Sequence, residues 1–151
     1  MATTAKKSGV EIRAPRAGDC SRMAELSGQL GYKATGAEIE KRLAAMQASP
    51  DCAVFVAELL GGHVAGWVGV FVYRCVEANT RAEISGLVVD EGIRSSGIGR
   101  RLMERAEEWA REKGCSAVGV RSQVFREGAH AFYERLGYKH IKTQKSFRKD
   151  L

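Results

Sequence analysis

The chain has 151 residues, 44% hydrophobic and 28% charged, with a formal net charge of +6. That length suits one domain with a real core, and that composition excludes a fibrous or wholly disordered chain. No run approaches the roughly 18 apolar residues of a membrane span. The opening MATTAKKSGV also lacks the apolar centre of about 7–15 residues that a signal peptide needs, so a cytoplasmic protein is expected.

In chain order, residues 1–9 read as a disordered start. Residues 10–14 read as a short strand ended by Pro15 and Gly18. Asp19 is placed to cap a helix through Leu30, with Met23, Leu26 and Leu30 on one face and Gly31 as its stop. Thr35-x-x-Glu38 is a capping box for a second helix, whose inner face is Ile39, Leu43 and Met46 and which Ser49-Pro50 ends. Residues 52–60 are apolar, Gly61-Gly62 signals a hairpin, and residues 63–76 form the return strand. After a turn at 77–80 a third strand follows, so three consecutive antiparallel strands are expected.

Residues 81–114 organise the rest. Ile84 to Val89 form a buried strand, Asp90-Glu91-Gly92-Ile93 a turn, and Arg94-Ser95-Ser96-Gly97-Ile98-Gly99 a loop of small residues. A helix follows with Leu102, Ala106, Trp109 and Ala110 on one face and Gly114 as its stop. Small residues let backbone N–H groups approach a ligand closely, and the positive end of the helix dipole faces the same point. A phosphate is the natural guest, with Arg94 and Arg100 adding full charge beside it. The positive net charge is in keeping with an anionic ligand. A Walker A loop would need Gly-Lys-Ser/Thr, but Arg100-Arg101 follow Gly99; a dinucleotide fingerprint would need glycine at Leu102.

Beyond Gly114, residues 116–120 read as another buried strand and 121–126 as a polar connection. Residues 127–136 read as a helix with Ala129, Phe132, Tyr133 and Leu136 inward, stopped by Gly137. Residues 138–141 and 143–147 are two terminal strand candidates, with Lys139, Lys142, Lys145, Arg148 and Lys149 spread among them as a solvated edge. Cys20, Cys52, Cys75 and Cys115 form no C-x-x-C pair, and His63, His130 and His140 give no metal-ligand spacing. Free thiols in a reducing compartment are expected, and no metal. No recognition helix or aromatic-stacking motif supports nucleic acid as a partner.

Arg94-x-x-Gly97-x-Gly99, directly after the strand and opening a helix, resembles the central motif of the GNAT superfamily of acetyl-CoA-dependent N-acetyltransferases. Ala129-x-x-Phe132-Tyr133-x-x-x-Gly137-Tyr138 is similar to a second element of that family. The resemblance implies an α/β (α+β) GNAT fold in a single domain over residues 10–151. Its central sheet would be mixed, mostly antiparallel, with about six or seven strands, flanked by four helices. It implies that the pantetheine arm of acetyl-CoA pairs with the backbone of Leu87, Val88 and Val89, with Gly86 as a site for a strand bulge. The pyrophosphate would sit on Arg94, Ser95, Ser96, Gly97, Ile98, Gly99 and Arg100. Where many members carry asparagine seven residues before the tyrosine, this chain has Arg126, which can still reach phosphate.

An alkylammonium has no lone pair at pH 7, so direct attack on the thioester needs a base, and the departing thiolate needs an acid. Glu83 lies eleven residues before Arg94, the spacing of the catalytic glutamate in histone-acetyltransferase members; an ordered water is the alternative base. Tyr133 is the candidate acid, with a core aromatic as its other reading. Tyr32 and Glu38 read first as a turn tyrosine and a capping glutamate, with contact to the acceptor as their other reading, since the resemblance implies that the first two helices and their loop help shape the acceptor site. The expected activity is N-acetylation of a primary amine of a small molecule: a polyamine, amino sugar, aminoglycoside, amino acid or xenobiotic. Acetylation of a protein N-terminus or lysine, and a non-catalytic CoA-binding module, stand as alternatives, with a homodimer left open.

Overall fold

The computed structural model describes residues 9–94 and 96–151. The expected disorder of residues 1–9 therefore falls almost wholly outside the described residues. The chain divides into two compact units, Met1–Val120 and Arg121–Leu151.

The first unit begins with β1 (Val10–Arg13), a 3-10 turn (Ala17–Asp19), α1 (Cys20–Gln29) and α2 (Gly36–Gln47). Then come β2 (Cys52–Leu59), β3 (Val64–Tyr73), β4 (Arg81–Val89), a second 3-10 turn (Glu91–Ile93), α3 (Ile98–Glu112) and β5 (Val118–Val120). The sheet runs β1-β2-β3-β4-β5, antiparallel except for the last pair. A parallel neighbour needs a crossover, and α3 supplies it between β4 and β5.

Alternation along the strands builds two cores. Val54, Val56 and Val88 face α1 and α2, where Cys20, Met23, Leu26 and Leu43 meet them and Trp67 packs alongside. Phe55 points to the other face, where the Arg105 guanidinium of α3 lies 4.4 Å over its ring. On α3, Ile98, Leu102, Met103, Ala106, Trp109 and Ala110 are all buried, the helical spacing read from the sequence. Burial of Ile98, Leu102 and Met103 contributes about 1.5–3 kcal/mol of transfer free energy each, and the two alanines less.

Thr35 caps α2 as expected: the Glu38 N–H donates to Thr35 Oγ1 at 3.2 Å, and the Thr35 N–H donates to Glu38 Oε2 at 3.2 Å. Asp19 departs from its expected role. It makes no side-chain cap on α1. Its carboxylate accepts from Arg13 Nη1 at 2.7 Å, Arg13 Nη2 at 3.0 Å and the Arg16 N–H at 2.7 Å. A guanidinium fork matches both carboxylate oxygens, which one helix-end N–H cannot do. Arg13 Nε also donates to Glu58, so one arginine ties β1, β2 and the entry to α1.

The second unit contains α4 (Glu127–Arg135). Its C-terminus closes with the Gly137 N–H on the Glu134 carbonyl and the Tyr138 N–H on the Tyr133 carbonyl, with Gly137 at φ 94°. The two expected terminal strands, 138–141 and 143–147, are absent: residues 138–151 carry no regular secondary structure. Ile141 and Phe147 are the only large apolar side chains between Lys139 and Lys149, and both are exposed, so no buried face pins a register there. Five strands are therefore found among the described residues where about six or seven were expected.

Arg13 holds the Asp19 carboxyl below the ordinary carboxylate range. A lowered folded pKa means stability present at neutral pH and lost as the pH falls below about 4 through the folded value. Asp19→Asn should cost about 1–2 kcal/mol in urea unfolding at pH 7 and flatten the acid limb of stability against pH. An unchanged acid limb would assign that limb to other carboxylates.

Candidate active site

The site grows from β4. On one edge this strand pairs with β3 along nearly its whole length, from Tyr73↔Arg81 to Gly66↔Val89. On the other edge it pairs with β5 only at Ala82↔Val118, Glu83↔Gly119 and Ile84↔Val120. Among the described residues, no strand pairs with that edge from Ser85 to Val89. An edge with free N–H and C=O groups is a template for an extended amide-bearing partner.

The strands separate at a bulge. Gly69 pairs with Gly86 while Val70 pairs with Ile84, so Ser85 is the extra residue. The bulge was expected at Gly86 and lies one position earlier. Ser85 Oγ fills the space a side chain at Gly69 would take, 2.4 Å from where a Cβ would stand.

Of the residues expected to line the cofactor, Leu87 and Val89 are half-buried and direct their backbone to the open edge, whereas Val88 is 3% exposed and its carbonyl turns toward Gly66 of β3. The turn after β4 closes on itself: Arg94 Nε donates to the Val89 carbonyl at 3.3 Å, and Ser96 Oγ donates to the Ile93 carbonyl at 2.6 Å. Ser95 lies outside the described residues. Gly97 is the N-cap of α3 at φ 83°, a left-handed conformation that favours glycine, and its carbonyl accepts the first helical bond, from the Arg101 N–H at 3.1 Å. Ile98, Gly99 and Arg100 then present the N–H groups a helix start leaves without intrahelical partners. The Ile98 side chain is buried, whereas Arg100 is exposed and 3.9 Å from Glu104. This is an anion-binding geometry.

Glu83 sits where the strands part. It is 8% exposed, and Arg81 Nε donates to its Oε1 at 2.8 Å. Its carboxylate rests on Gly119 of β5: a Cβ there would lie 2.7 Å from Oε1. Arg81 stacks 4.4 Å over the Tyr73 ring. A buried carboxyl group thus stands at the mouth of the opening, with Oε1 engaged by the guanidinium. The glycine that makes room for it was not foreseen, because nothing in the sequence pairs position 83 with 119.

Tyr133 and Arg126 belong to the second unit. Arg126 is exposed at the N-cap of α4. Tyr133 is half-buried, with Phe132 and Tyr138 edge-on to its ring at 5.2 and 6.0 Å. Burial raises its phenol pKa, so the hydroxyl keeps its proton at neutral pH.

Sequence reasoning also missed a polar knot beneath the loop. Asp90, the residue after β4, accepts from Arg22 and Gln29 of α1 and from the Gly92 N–H. Arg22 and Gln29 stand seven residues apart, on one helix face, which is the one local signal available.

An open strand edge leading into a helix N-terminus offers backbone groups to an extended amide-bearing ligand and an anion site at its end. The model of the acetyltransferase (GNAT) family matches residues 23–138, and the chain belongs to that family. It is 37% identical over 82 residues to the aminoalkylphosphonate N-acetyltransferase of Salmonella typhimurium, a stretch of 54% of this chain and 53% of that protein. The match therefore spans about half the length of that relative. Glucosamine-6-phosphate N-acetyltransferase from Arabidopsis thaliana superposes with a TM-score of 0.81 at 24% identity, covering 93% of this chain and 99% of the other. AAC(6')-Iy in complex with the bisubstrate analogue CoA-S-monomethyl-acetylneamine gives a TM-score of 0.83 at 17% identity over 95% of this chain and 100% of the other. At these identities the two structures show the fold. Among the described residues no group of three or more His, Cys, Asp or Glu could hold a metal, and no helix is long and apolar enough to cross a membrane.

Gly99→Asp tests the phosphate loop. An acid in the first helical turn favours the helix dipole, so the fold should persist by circular dichroism. The same charge opposes a pyrophosphate, and acetyl-CoA binding should fall at least about 100-fold by calorimetry. Unchanged affinity would remove the loop from cofactor binding.

Proposed function

We propose that the protein is an acetyl-CoA-dependent N-acetyltransferase whose acceptor is the primary amine of a small molecule. The observation that carries the reading is the edge of β4 from Ser85 to Val89, open on one side and leading into the N-terminus of α3. The residues present fit acetyl-CoA: free backbone groups for its amides, and helix-end N–H groups with Arg94 and Arg100 for its pyrophosphate. Acetyl-CoA supplies the activated acetyl thioester.

The chain's own residues then have separate tasks. The backbone N–H of Leu87, which the ladder turns away from β3, is the proposed donor to the oxygen that gains charge during attack. Glu83 is the proposed base, accepting the ammonium proton directly or through one water and so freeing the amine lone pair. Arg81 keeps the Glu83 side chain in a single rotamer by its bond to Oε1. Tyr133 is the proposed acid; its raised phenol pKa supports a hydroxyl that holds its proton until a thiolate departs. The proton balance closes when the amine gives up two protons, one to Glu83 before attack and one from the adduct nitrogen after it, while one proton goes to the departing sulfur through Tyr133 and one to solvent. Arg126 is proposed as a further phosphate contact. The whole chain is proposed as one functional domain.

A small-molecule acceptor, rather than a protein lysine or N-terminus, is supported by the names of the relatives, whose acceptors are an aminoalkylphosphonate and glucosamine-6-phosphate. The deciding assay follows release of free thiol from acetyl-CoA against a panel of aminoalkylphosphonates, amino sugars and their phosphates, amino acids, polyamines and lysine peptides. Turnover confined to the peptides would reverse the acceptor assignment. No turnover with any amine, despite tight acetyl-CoA binding, would favour a binding module.

Two substitutions apportion the proton transfers. Glu83→Gln keeps the shape and the Arg81 contact but accepts no proton; kcat/KM should fall about 100-fold and its acid limb should change. A fall of less than a few-fold, with the pH profile intact, would transfer the role to water. Tyr133→Phe removes only the hydroxyl. It should lower kcat about tenfold or more with acetyl-CoA affinity and Tm nearly unchanged. Wild-type kcat would reduce Tyr133 to a packing aromatic.

A further inference from the structure

The polar knot at Asp90 is larger than a turn requires. Asp90 closes the turn itself, its Oδ1 accepting from the Gly92 N–H at 3.1 Å. It also receives Gln29 Nε2 on Oδ1 at 3.4 Å and Arg22 Nη2 on Oδ2 at 2.5 Å. Gln29 returns the contact, its Oε1 accepting from the Glu91 N–H at 2.9 Å. Arg22 donates through Nε to the Val64 carbonyl at 3.0 Å and through Nη1 to Glu25 at 3.0 Å, with His63 Nε2 3.2 Å from Nη2. The Asp90 N–H donates to the Ala65 carbonyl at 2.8 Å.

Three elements meet here: helix α1, the start of β3 and the segment between β4 and α3. Besides the Arg22 bond to Val64, three bonds join α1 to residues 90 and 91, directly ahead of the small-residue loop. That loop must span from the last paired residue of β4 to the first N–H of α3. Its own internal bonds, Arg94 to Val89 and Ser96 to Ile93, set its curvature but not its height above the sheet. The outside anchor adds a hold on that height beside the ladder bond from the Asp90 N–H to the Ala65 carbonyl.

We propose that Asp90, held by Arg22 and Gln29 of α1, is the positioning residue of the phosphate loop. It sets the offset between the open edge of β4 and the N-terminus of α3, so that one extended cofactor meets both at once. Two sub-sites on one ligand bind at full strength only when their spacing is fixed beforehand; ordering them after contact costs affinity. The inference rests on the proposed use of acetyl-CoA. Because the contacts lie behind the loop and touch no ligand, the effect of losing them falls on binding and not on the chemical step.

The test uses the full chain. Asp90→Asn keeps size and one acceptor oxygen but turns an amide N–H₂ toward Arg22 or Gly92. Gln29→Met keeps length and removes both of its bonds. Each should weaken acetyl-CoA binding by calorimetry about tenfold, equivalent to about 1.4 kcal/mol, with kcat at saturating acetyl-CoA within about twofold of wild type. The double variant should lose less than the product of the two, because both residues hold the same segment. Hydrogen exchange at Glu91 and Gly92 in the ligand-free protein should rise about tenfold in each. Asp19→Asn serves as the comparison for general destabilisation, expected to lower Tm without changing acetyl-CoA affinity. Wild-type protein that binds acetyl-CoA, alongside folded Asp90 and Gln29 variants that bind it equally well, would overturn the inference and leave the activity standing. An affinity loss in Asp19→Asn in proportion to its Tm would also overturn it, by making the effect one of stability. Wild-type protein that does not bind acetyl-CoA would overturn the activity and the inference together.

Discussion

Strand β4 carries an unequal load of hydrogen bonds, and the rest of the site depends on that inequality. Its β3 edge is paired almost throughout; its β5 edge is paired for three residues, and among the described residues no strand pairs with it beyond Ile84. A strand held rigidly from one side can leave its other edge unpaired without fraying, since the antiparallel ladder keeps every peptide plane oriented. The bulge at Ser85 falls just beyond the last β5 pair and adds local twist where the strands part. Opening, rigidity and direction thus come from one ladder.

Glu83 illustrates what that geometry does to a side chain. In the pleat it points toward the α1 and α2 face, into a gap that exists because residue 119 is glycine. Burial of a carboxylate is costly unless it is paired and hydrogen-bonded. Arg81, two residues away on the same strand face, supplies the pair, and Tyr73 supplies the platform for the guanidinium. The cost of burying the carboxyl group at the mouth of the opening is offset locally, within one strand and its immediate neighbours.

Helix α1 does two things with two faces. Met23 and Leu26 enter the core beside Val56 and Val88, while Arg22 and Gln29 reach over the sheet end to the turn after β4. The apolar stripe fixes where the helix lies; the polar stripe then uses that position to hold a loop some sixty residues later. A loop rich in small residues has a large conformational entropy to lose, and outside anchors reduce what remains to be lost on binding.

Local chemistry was legible in the sequence wherever it is written in adjacent residues. The Thr35–Glu38 capping box, the apolar face of α3, the three antiparallel strands, the small-residue loop at an N-terminus and the run Ala129 to Tyr138 all depend on spacings of a few residues, and α-helices and hairpins obey such spacings. Asp19 shows the limit of that reading. A capping aspartate and a salt-bridged aspartate look alike until Arg13 and Glu58 are known to stand beside it. The terminal segment shows another limit: alternating lysines can accompany a strand, but with Ile141 and Phe147 as its only large apolar side chains it carries too little to bury. By itself the sequence determined the family and supplied the candidate phosphate loop, acid and base, because these lie within contiguous motifs. Only the tertiary structure decided the free edge of β4, the seat of Glu83 on Gly119 and the anchoring of the loop through Asp90. Each of these is a contact between residues far apart in the chain, and such contacts come from packing and register, which no local pattern encodes.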